Sequence, residues 1–436
     1  MIKTFAKYFA GTLAVLAAIA FAINAGPAQS STPSTNDGFV MVPMDADHWE
    51  IVKQPQRSAD YPEAQVAFAP EGNVPLDYNK NNALPDGNAA GTYYGQKDAA
   101  WVRGATAFVK DLDDFSDGII EYDVLLQRPE AGFIGILVRA VDDANHERFF
   151  MRPHHNTDSW DDSIQYTPVY NQLQSWQLYT GEIYNSFFEY SYEDWIHCKL
   201  VISGNSAEWY IRDMEKPAQY VPDMKRETPA GKVGLYALNP DRLGGFFANF
   251  KYKKMDNPPL QNSGVELPTA PAGNINTWER TEPFDEAWLA DKLVLNPSDE
   301  RMFTWTEFEA DRLGIFAIHK LFTPVKGKNA VFLKKEIMSD SDQIKVLEVG
   351  YSDRVKVYLN GEMQFGGDNT YRSRNRAFLG TAGYYDDVPL HLKKGNNELR
   401  LAIGAEALFT ASWGGMAKFA DTTGISFDGM VPTTAP

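Results

Sequence analysis

The chain has 436 residues, 44% of them hydrophobic and 23% charged, and a formal net charge of −17. That length fits two ordinary domains, and the composition excludes wholesale disorder. The acidic balance excludes a nucleic-acid partner, because neutralising phosphates takes a lysine and arginine surface that this chain lacks. Aromatic residues reach 13%, with 10 Trp and 21 Tyr, which suits β-sandwich cores and equally a ligand platform.

Residues 1–29 have the layout of an export signal. Lys3 and Lys7 precede an apolar run from Tyr8 to Ile23, and Ala22-Ile23-Asn24-Ala25 offers a cleavage site. The run falls short of the roughly 20 residues that a bilayer crossing needs. No later segment is long and apolar enough to span, so the mature chain is expected without a transmembrane segment, in the periplasm or outside the cell. Residues 30–39 read as a flexible Ser/Thr/Pro spacer. The single cysteine, Cys198, rules out an internal disulfide and is expected as a small buried hydrophobe.

Residues 40–255 carry short strands in succession. They are expected at 49–52, 65–68, 107–109, 118–124, 132–139, 148–152, 164–166, 176–179, 195–202, 207–211, 231–236 and 246–252, with turn signals at 79–82, 85–88, 116–118, 142–145 and 203–205. Such spacing, without a long amphipathic helix, predicts an antiparallel sandwich. Residues 256–276 are rich in Pro, Gly and Asn and read as a linker. Residues 277–430 return to β patterning, with strands at 329–335, 343–349, 354–359 and 397–403 and a short helix at 283–291. Asn360-Gly361 predicts a tight hairpin, since both residues tolerate positive φ. Residues 431–436 read as a disordered tail. The fold class expected is therefore all-β, with two sandwiches.

Within this pattern, Glu147 to Tyr179 concentrates guanidinium, imidazole, carboxamide and aromatic groups. Strand alternation sends Glu147, Phe149 and Met151 one way and Arg148, Phe150, Arg152 and His154 the other. Rings flanked by planar hydrogen-bonding groups suit a sugar, whose C–H faces stack while its hydroxyls need donors and acceptors. The ligand-binding candidates are Arg139, Glu147, Arg152, His154, Gln165, Tyr166, Asn171, Trp176, Gln177 and Tyr179, and the partner expected is a saccharide or polysaccharide.

The runs at 115–124, 132–139, 195–201 and 207–210 together resemble the concanavalin A-like lectin/glucanase superfamily, in its laminin-G-like branch. The resemblance implies two curved sheets with sugar on the concave one. Its β-glucan-cleaving members carry Glu-x-Asp-x-x-Glu on one strand; here Glu121 and Asp123 fill the first two places and Leu126 the third. A retaining hydrolase needs both an acid and a nucleophile, so the departure weakens that mechanism. The runs at 355–361 and 390–399 resemble a galactose-binding-like jelly roll, which implies an accessory domain.

The leading alternative is a polysaccharide lyase, with His154, Tyr166, Arg152 and Gln165 as the catalytic set for uronate chemistry. The family signatures Gln-Ile-His and Arg-x-Glu-x-Arg are absent. A zinc site lacks suitable spacing around His154-His155. A third class is a surface adhesion or assembly protein, which predicts an exposed apolar patch. Arg372, Arg374 and Arg376 are expected to dock on the acidic first domain. No cofactor is expected. Asp111, Asp113 and Asp114, or Asp158, Asp161 and Asp162, are the acidic groupings where a structural calcium would sit, although neither has the spacing of a calcium loop.

Overall fold

The strand Asn145–Met151 shows how this sequence builds its layers. Phe149 and Met151 enter the core between two sheets, while Phe150 joins a separate cluster on the opposite face of its own sheet. The computed structural model describes residues 37–54, 63–69, 98–127, 129, 132–238, 244–375, 378–406 and 411–431. The expected export signal, most of the spacer, the turns at 79–82 and 85–88, and the tail from 432 lie outside them.

The first sandwich has two sheets. The front sheet runs in the order Leu173–Gln174, Ile164–Tyr170, Asn145–Met151, Phe133–Asp142, Lys232–Leu238, Ala105–Val109 and Trp49–Lys53. The back sheet centres on Trp195–Ser203, Gly118–Leu125 and Gly245–Lys254. Between them pack Ile120, Tyr122, Ile136, Phe149, Tyr166, Cys198 and Trp209, all buried. A seven-stranded and a four-stranded sheet form the second sandwich around Trp278, Val331, Leu401, Trp413 and Phe419. Every pairing between strands of the described residues is antiparallel, and the protein is all-β as its patterning predicts. At the predicted hairpin, Asn360 and Gly361 have φ of 51° and 83°, and Leu359 pairs with Glu362.

Two expected elements differ. Residues 176–179 do not continue as a strand, because Leu178 and Tyr179 both donate their backbone N–H to the Ser175 carbonyl, at 2.9 Å, and close a 3₁₀ turn over Ser175–Gln177. The helix at 283–291 shortens to a 3₁₀ turn at Glu286–Leu289, capped by the Asp285 carboxylate, which accepts from the Ala287 N–H at 3.0 Å. Strands Ala99–Arg103 and Glu362–Asp368 lay hidden: the first is buried on both faces and so shows no alternation, and the second carries two glycines.

Residues 256–273 form no helix or strand, yet they are anchored. The buried Glu208 carboxylate accepts from the backbone of Gln261 (3.0 Å) and Asn262 (2.7 Å). The two sandwiches meet closely. Ile315, Ala317 and Ala382 join the first core, Arg312 pairs with Asp223 at 2.7 Å, and Lys225 lies 3.2 Å from Asp311. Of the arginines expected to dock, Arg374 instead pairs with Asp386 inside the second sandwich, Arg372 stacks over Tyr371, and Arg376 lies outside the described residues. Asp386 engages Arg374 and the Tyr371 ring lies under Arg372, whereas Arg312 and Lys225 make charged contacts between the sandwiches.

At the centre of this junction His319 is fully buried, with Nε2 2.6 Å from Ser175 Oγ and Nδ1 3.0 Å from the Trp413 carbonyl. Burial pushes its pKa down to about 4. The neutral ring therefore donates from Nδ1 and accepts the serine hydroxyl at Nε2. A folded pKa below the unfolded value of about 6.5 gives stability that is complete above pH 6.5 and is lost as pH falls toward 4. His319→Gln should lack this dependence: in urea titrations at pH 7 and pH 4, the intact protein should lose about 3 kcal/mol more than the variant.

Candidate functional site

Strand register sets the outer face of the front sheet in rows. One row reads Gln165, Phe150, Gly135, Tyr236, Thr106, Val52, and the next Thr167, Arg148, Leu137, Gly234, Phe108, Glu50. At Gly135 a Cβ would fall 2.1 Å from the Phe149 carbonyl oxygen, so this position accepts no side chain. Backbone therefore floors the face between Phe150 and Tyr236.

Arg152 lies just past the end of Asn145–Met151. Its Nη2 donates to Gln165 Oε1 at 2.7 Å, and its Nη1 pairs with Asp162. Three rings surround its guanidinium carbon: Phe150 at 5.2 Å, Trp176 at 5.4 Å and Phe133 at 5.5 Å. Burial disfavours ionised Asp162, but the His155 hydrogen bond and the Arg152 charge outweigh it and hold the carboxyl below its usual range. The His155 ring in turn stacks on Trp160 at 3.9 Å. One step along the same face, the Arg148 guanidinium lies 4.6 Å from the centre of the Tyr236 ring and donates to His146 Nε2. Burial, with Arg148 and Arg226 adding, holds His146 neutral.

Among the described residues, five buried polar atoms on this face have no hydrogen-bond partner: His146 Nδ1, Arg148 Nη1, Arg152 Nε, Gln165 Nε2 and Tyr236 Oη. Each such group costs about 1–3 kcal/mol unless something supplies its partner. They lie against Phe133, Phe150, Tyr236 and the half-buried Trp176.

The ten candidates divide by the alternation of their strands. Arg152, Gln165 and Trp176 converge. His154 lies beyond the strand end, in a turn, its ring 4.0 Å from that of His155. Burial, followed by the charges of His155 and Arg152, pushes it down to about 4. Glu147 and Tyr166 face the inter-sheet core, since residues adjacent to Arg148 and Gln165 on a strand must point the opposite way, and Tyr179, just past the 3₁₀ turn, joins the same core; all three are fully buried. There Tyr166 Oη donates to Glu147 Oε2 at 2.6 Å and accepts from the Lys225 N–H at 2.6 Å. Burial raises the Glu147 pKa. Arg139 sits at a β-bulge with φ of 49° and ties two turns together through Ser116, Asp117 and Gly204. Asn171 and Gln177 belong to the junction, where Asn171 donates to the His319 carbonyl at 3.0 Å and Gln177 to the Leu379 carbonyl at 3.0 Å. Arg148, Phe150, Phe133 and Tyr236 were not among the candidates; the first two stood on the charged face already, and alternation carried across to the neighbouring strands reaches the others.

Glu121 and Asp123 occupy the back sheet. His197 Nδ1 lies 2.6 Å from Asp123, and Lys251 lies 2.7 Å from Glu121. The pair is thus neutralised by cations of its own sheet. Of the acidic groupings considered for calcium, one member of each is paired: Asp162 with Arg152 and His155, and Asp114 with Lys254. Among the described residues no group of three or more His, Cys, Asp or Glu is placed to hold a metal. A hollow of about 1030 Å³ on the second sandwich is lined by Glu286, Asn329 and Arg354, which satisfy one another.

No family model matches the chain, and no curated protein matches it in sequence. Among solved structures it is similar to a carbohydrate-binding module from Bacillus subtilis, at 12% identity and a TM-score of 0.27, over 37% of this chain and 89% of that one. It is also similar to domain 4 of an extracellular arabinanase from Geobacillus stearothermophilus in complex with arabinotriose (9%, TM-score 0.28, 49% and 96%). A third is a β-glucanase from Bacillus licheniformis (9%, TM-score 0.29, 51% and 100%). At these identities and scores the likeness carries nothing about ligand or reaction.

Two outcomes follow from the placements. Tyr166→Phe should lower unfolding stability by about 1–3 kcal/mol, because Glu147 and the Lys225 N–H lose a buried partner. The hydrogen bonds to Asp123 and Glu121 raise the His197 pKa to about 9. Its contribution is then full below the unfolded value of about 6.5 and lost as pH rises through 9. With the side chain 40% exposed, screening limits this to about 1 kcal/mol. Denaturation of the intact protein and His197→Ala at pH 6 and pH 10 measures it.

Proposed function

We propose that the protein binds a saccharide on the outer face of the front sheet, between Tyr236 and Trp176. The observation that carries this reading is the set of unpartnered buried donors on Arg148, Arg152, Gln165 and Tyr236, interleaved with aromatic rings. A sugar's C–H face suits the half-buried Trp176 and Phe133 at the rim, and its hydroxyls suit such donors once the face opens, since Phe150, Gln165 and Tyr236 are fully buried in this structure. With the leader expected at residues 1–29, we place this binding outside the cytoplasm, where polysaccharides are encountered.

Binding, without cleavage, is what these positions support. The lyase set loses its phenol, because Tyr166 and Gln165 stand on opposite faces of one strand. The Glu121 and Asp123 pair of the hydrolase reading lies on the other sheet, engaged by Lys251, His197 and Asn249.

Isothermal titration of the intact protein against a panel of oligosaccharides tests the proposal. At least one should bind, with Arg152→Ala and Trp176→Ala each weakening it about tenfold or more, the equivalent of losing about 1.4 kcal/mol. Tyr166→Phe should retain affinity at temperatures where it stays folded. Silence across neutral, uronate and sulfated oligosaccharides overturns the reading.

A further inference from the structure

The turn that follows the edge strand Glu362–Asp368 of the second sandwich comes up beside the turn that carries Trp176. Gln177, next to that tryptophan, donates from Nε2 to the Leu379 carbonyl at 3.0 Å, and its own carbonyl accepts from the Ala382 N–H at 2.7 Å. Gly380 stands between the two turns: a Cβ there would fall 2.6 Å from Gln177 Nε2 and 3.3 Å from the Tyr371 backbone nitrogen. Burial lowers the Arg152 pKa, and Asp162 and the phenols of Tyr190, Tyr236 and Tyr371 act against it, so the Tyr371 phenol lies within electrostatic reach of that guanidinium. The Trp176 ring approaches the same group, its centre 5.4 Å from the guanidinium carbon. Rings from both sandwiches therefore flank Arg152.

Tyr371 is also held in place. The Ser373 N–H donates to the Thr370 carbonyl at 2.9 Å, which puts Tyr371 and Arg372 at the two central positions of a tight turn, Arg372 with φ of 64°. The Arg372 N–H reaches the Phe378 carbonyl at 2.9 Å. Buried Asn369 fixes the base of the turn, donating to the Tyr351 carbonyl at 2.8 Å and accepting from Arg374 Nε at 2.7 Å. Tyr371 is 48% exposed, and among the described residues only two other aromatic side chains, Phe187 and Tyr385, are exposed. The Arg372 guanidinium covers one face of its ring, 4.8 Å from the centre, and makes no ion pair among the described residues. A lone exposed ring is ordinary. One fixed by its turn, clasped by an exposed cation and set beside the rim of Trp176 and Phe133 is a stacking surface.

We infer that the saccharide site is composite, with Tyr371 and Arg372 of the second sandwich forming a further subsite next to Trp176, so that the ligand is a linear oligosaccharide whose successive units lie across the junction. This rests on the saccharide reading above and specifies its ligand. An open aromatic face covers the C–H face of one sugar unit, and the Arg372 guanidinium offers fixed donors to the hydroxyls at that unit's edge. A second subsite reached through the same ligand adds its contribution without a second association, so it is read as a gain in affinity with chain length.

The test uses the full chain and length ladders, from one to six units, of cello-, xylo-, galacturono- and sulfated carrageenan oligosaccharides, followed by isothermal titration. In at least one ladder, affinity should rise about tenfold or more from the shortest member that binds to the longest. Tyr371→Ala should remove that rise while leaving the shortest binding member and the urea midpoint unchanged, whereas Trp176→Ala should weaken every member. Tyr371→Phe, which keeps the ring, should preserve the rise, and Arg372→Ala should narrow it several-fold. If affinity is flat with length, or rises equally in Tyr371→Ala, the composite site falls while the saccharide reading stands. If no member of any ladder binds, both fall.

Discussion

Two guanidinium groups stand four residues apart, Arg148 on the strand Asn145–Met151 and Arg152 just past its end, and among the described residues only Arg152 makes an ion pair. Burying a cation is tolerable when a carboxylate and hydrogen bonds surround it, as Asp162 and Gln165 surround Arg152. Arg148 has an aromatic face and a neutral imidazole in contact, with the Asp143 carboxylate acting on it. That difference gives the front face its chemical character, and the register of five neighbouring strands fixes it in place. A one-residue slip of any of them would exchange its outer row for its core row.

The architecture was legible because each sheet covers one core with one face. Apolar alternation at 118–125 and the hairpin at Asn360-Gly361 are direct readouts of that constraint. Ala99–Arg103, buried on both sides, offers no alternation to read. The grouping of side chains on the candidate face was half legible. Arg152, Gln165 and Trp176 emerged from the mixture of charge and ring, whereas Glu147, Tyr166 and Tyr179 share that composition and serve the core. Their polarity is explained by a buried acid, phenol and backbone amide that satisfy one another. Composition along a stretch cannot separate the two faces; parity of position can. Asn171 and Gln177 were misplaced for another reason, since their partners lie more than a hundred residues away in the second sandwich.

The second sandwich shapes the first at close range. The turn Ser175–Gln177 holds Trp176 over Arg152, and each residue flanking that tryptophan is bonded across the junction: Ser175 to His319, and Gln177 to Leu379 and Ser352. Ser412 Oγ donates to the Gln174 carbonyl from the same side. A short turn of three residues has few internal hydrogen bonds with which to hold a large ring. Here the stiffness comes from outside it.

The bracing of Ser175–Gln177 bears on how the protein is to be dissected. A shortened protein ending near residue 255 would keep the arginines and the glycine floor but lose the bonds from His319, Leu379, Ser352 and Ser412 that brace the turn carrying the indole. Its apolar edge, formerly under Ile315, Ala317 and Ala382, would face water. The outer face of the first sandwich is thus shaped partly by the second, and a protein carrying only the first half would hold Trp176 on an unbraced turn.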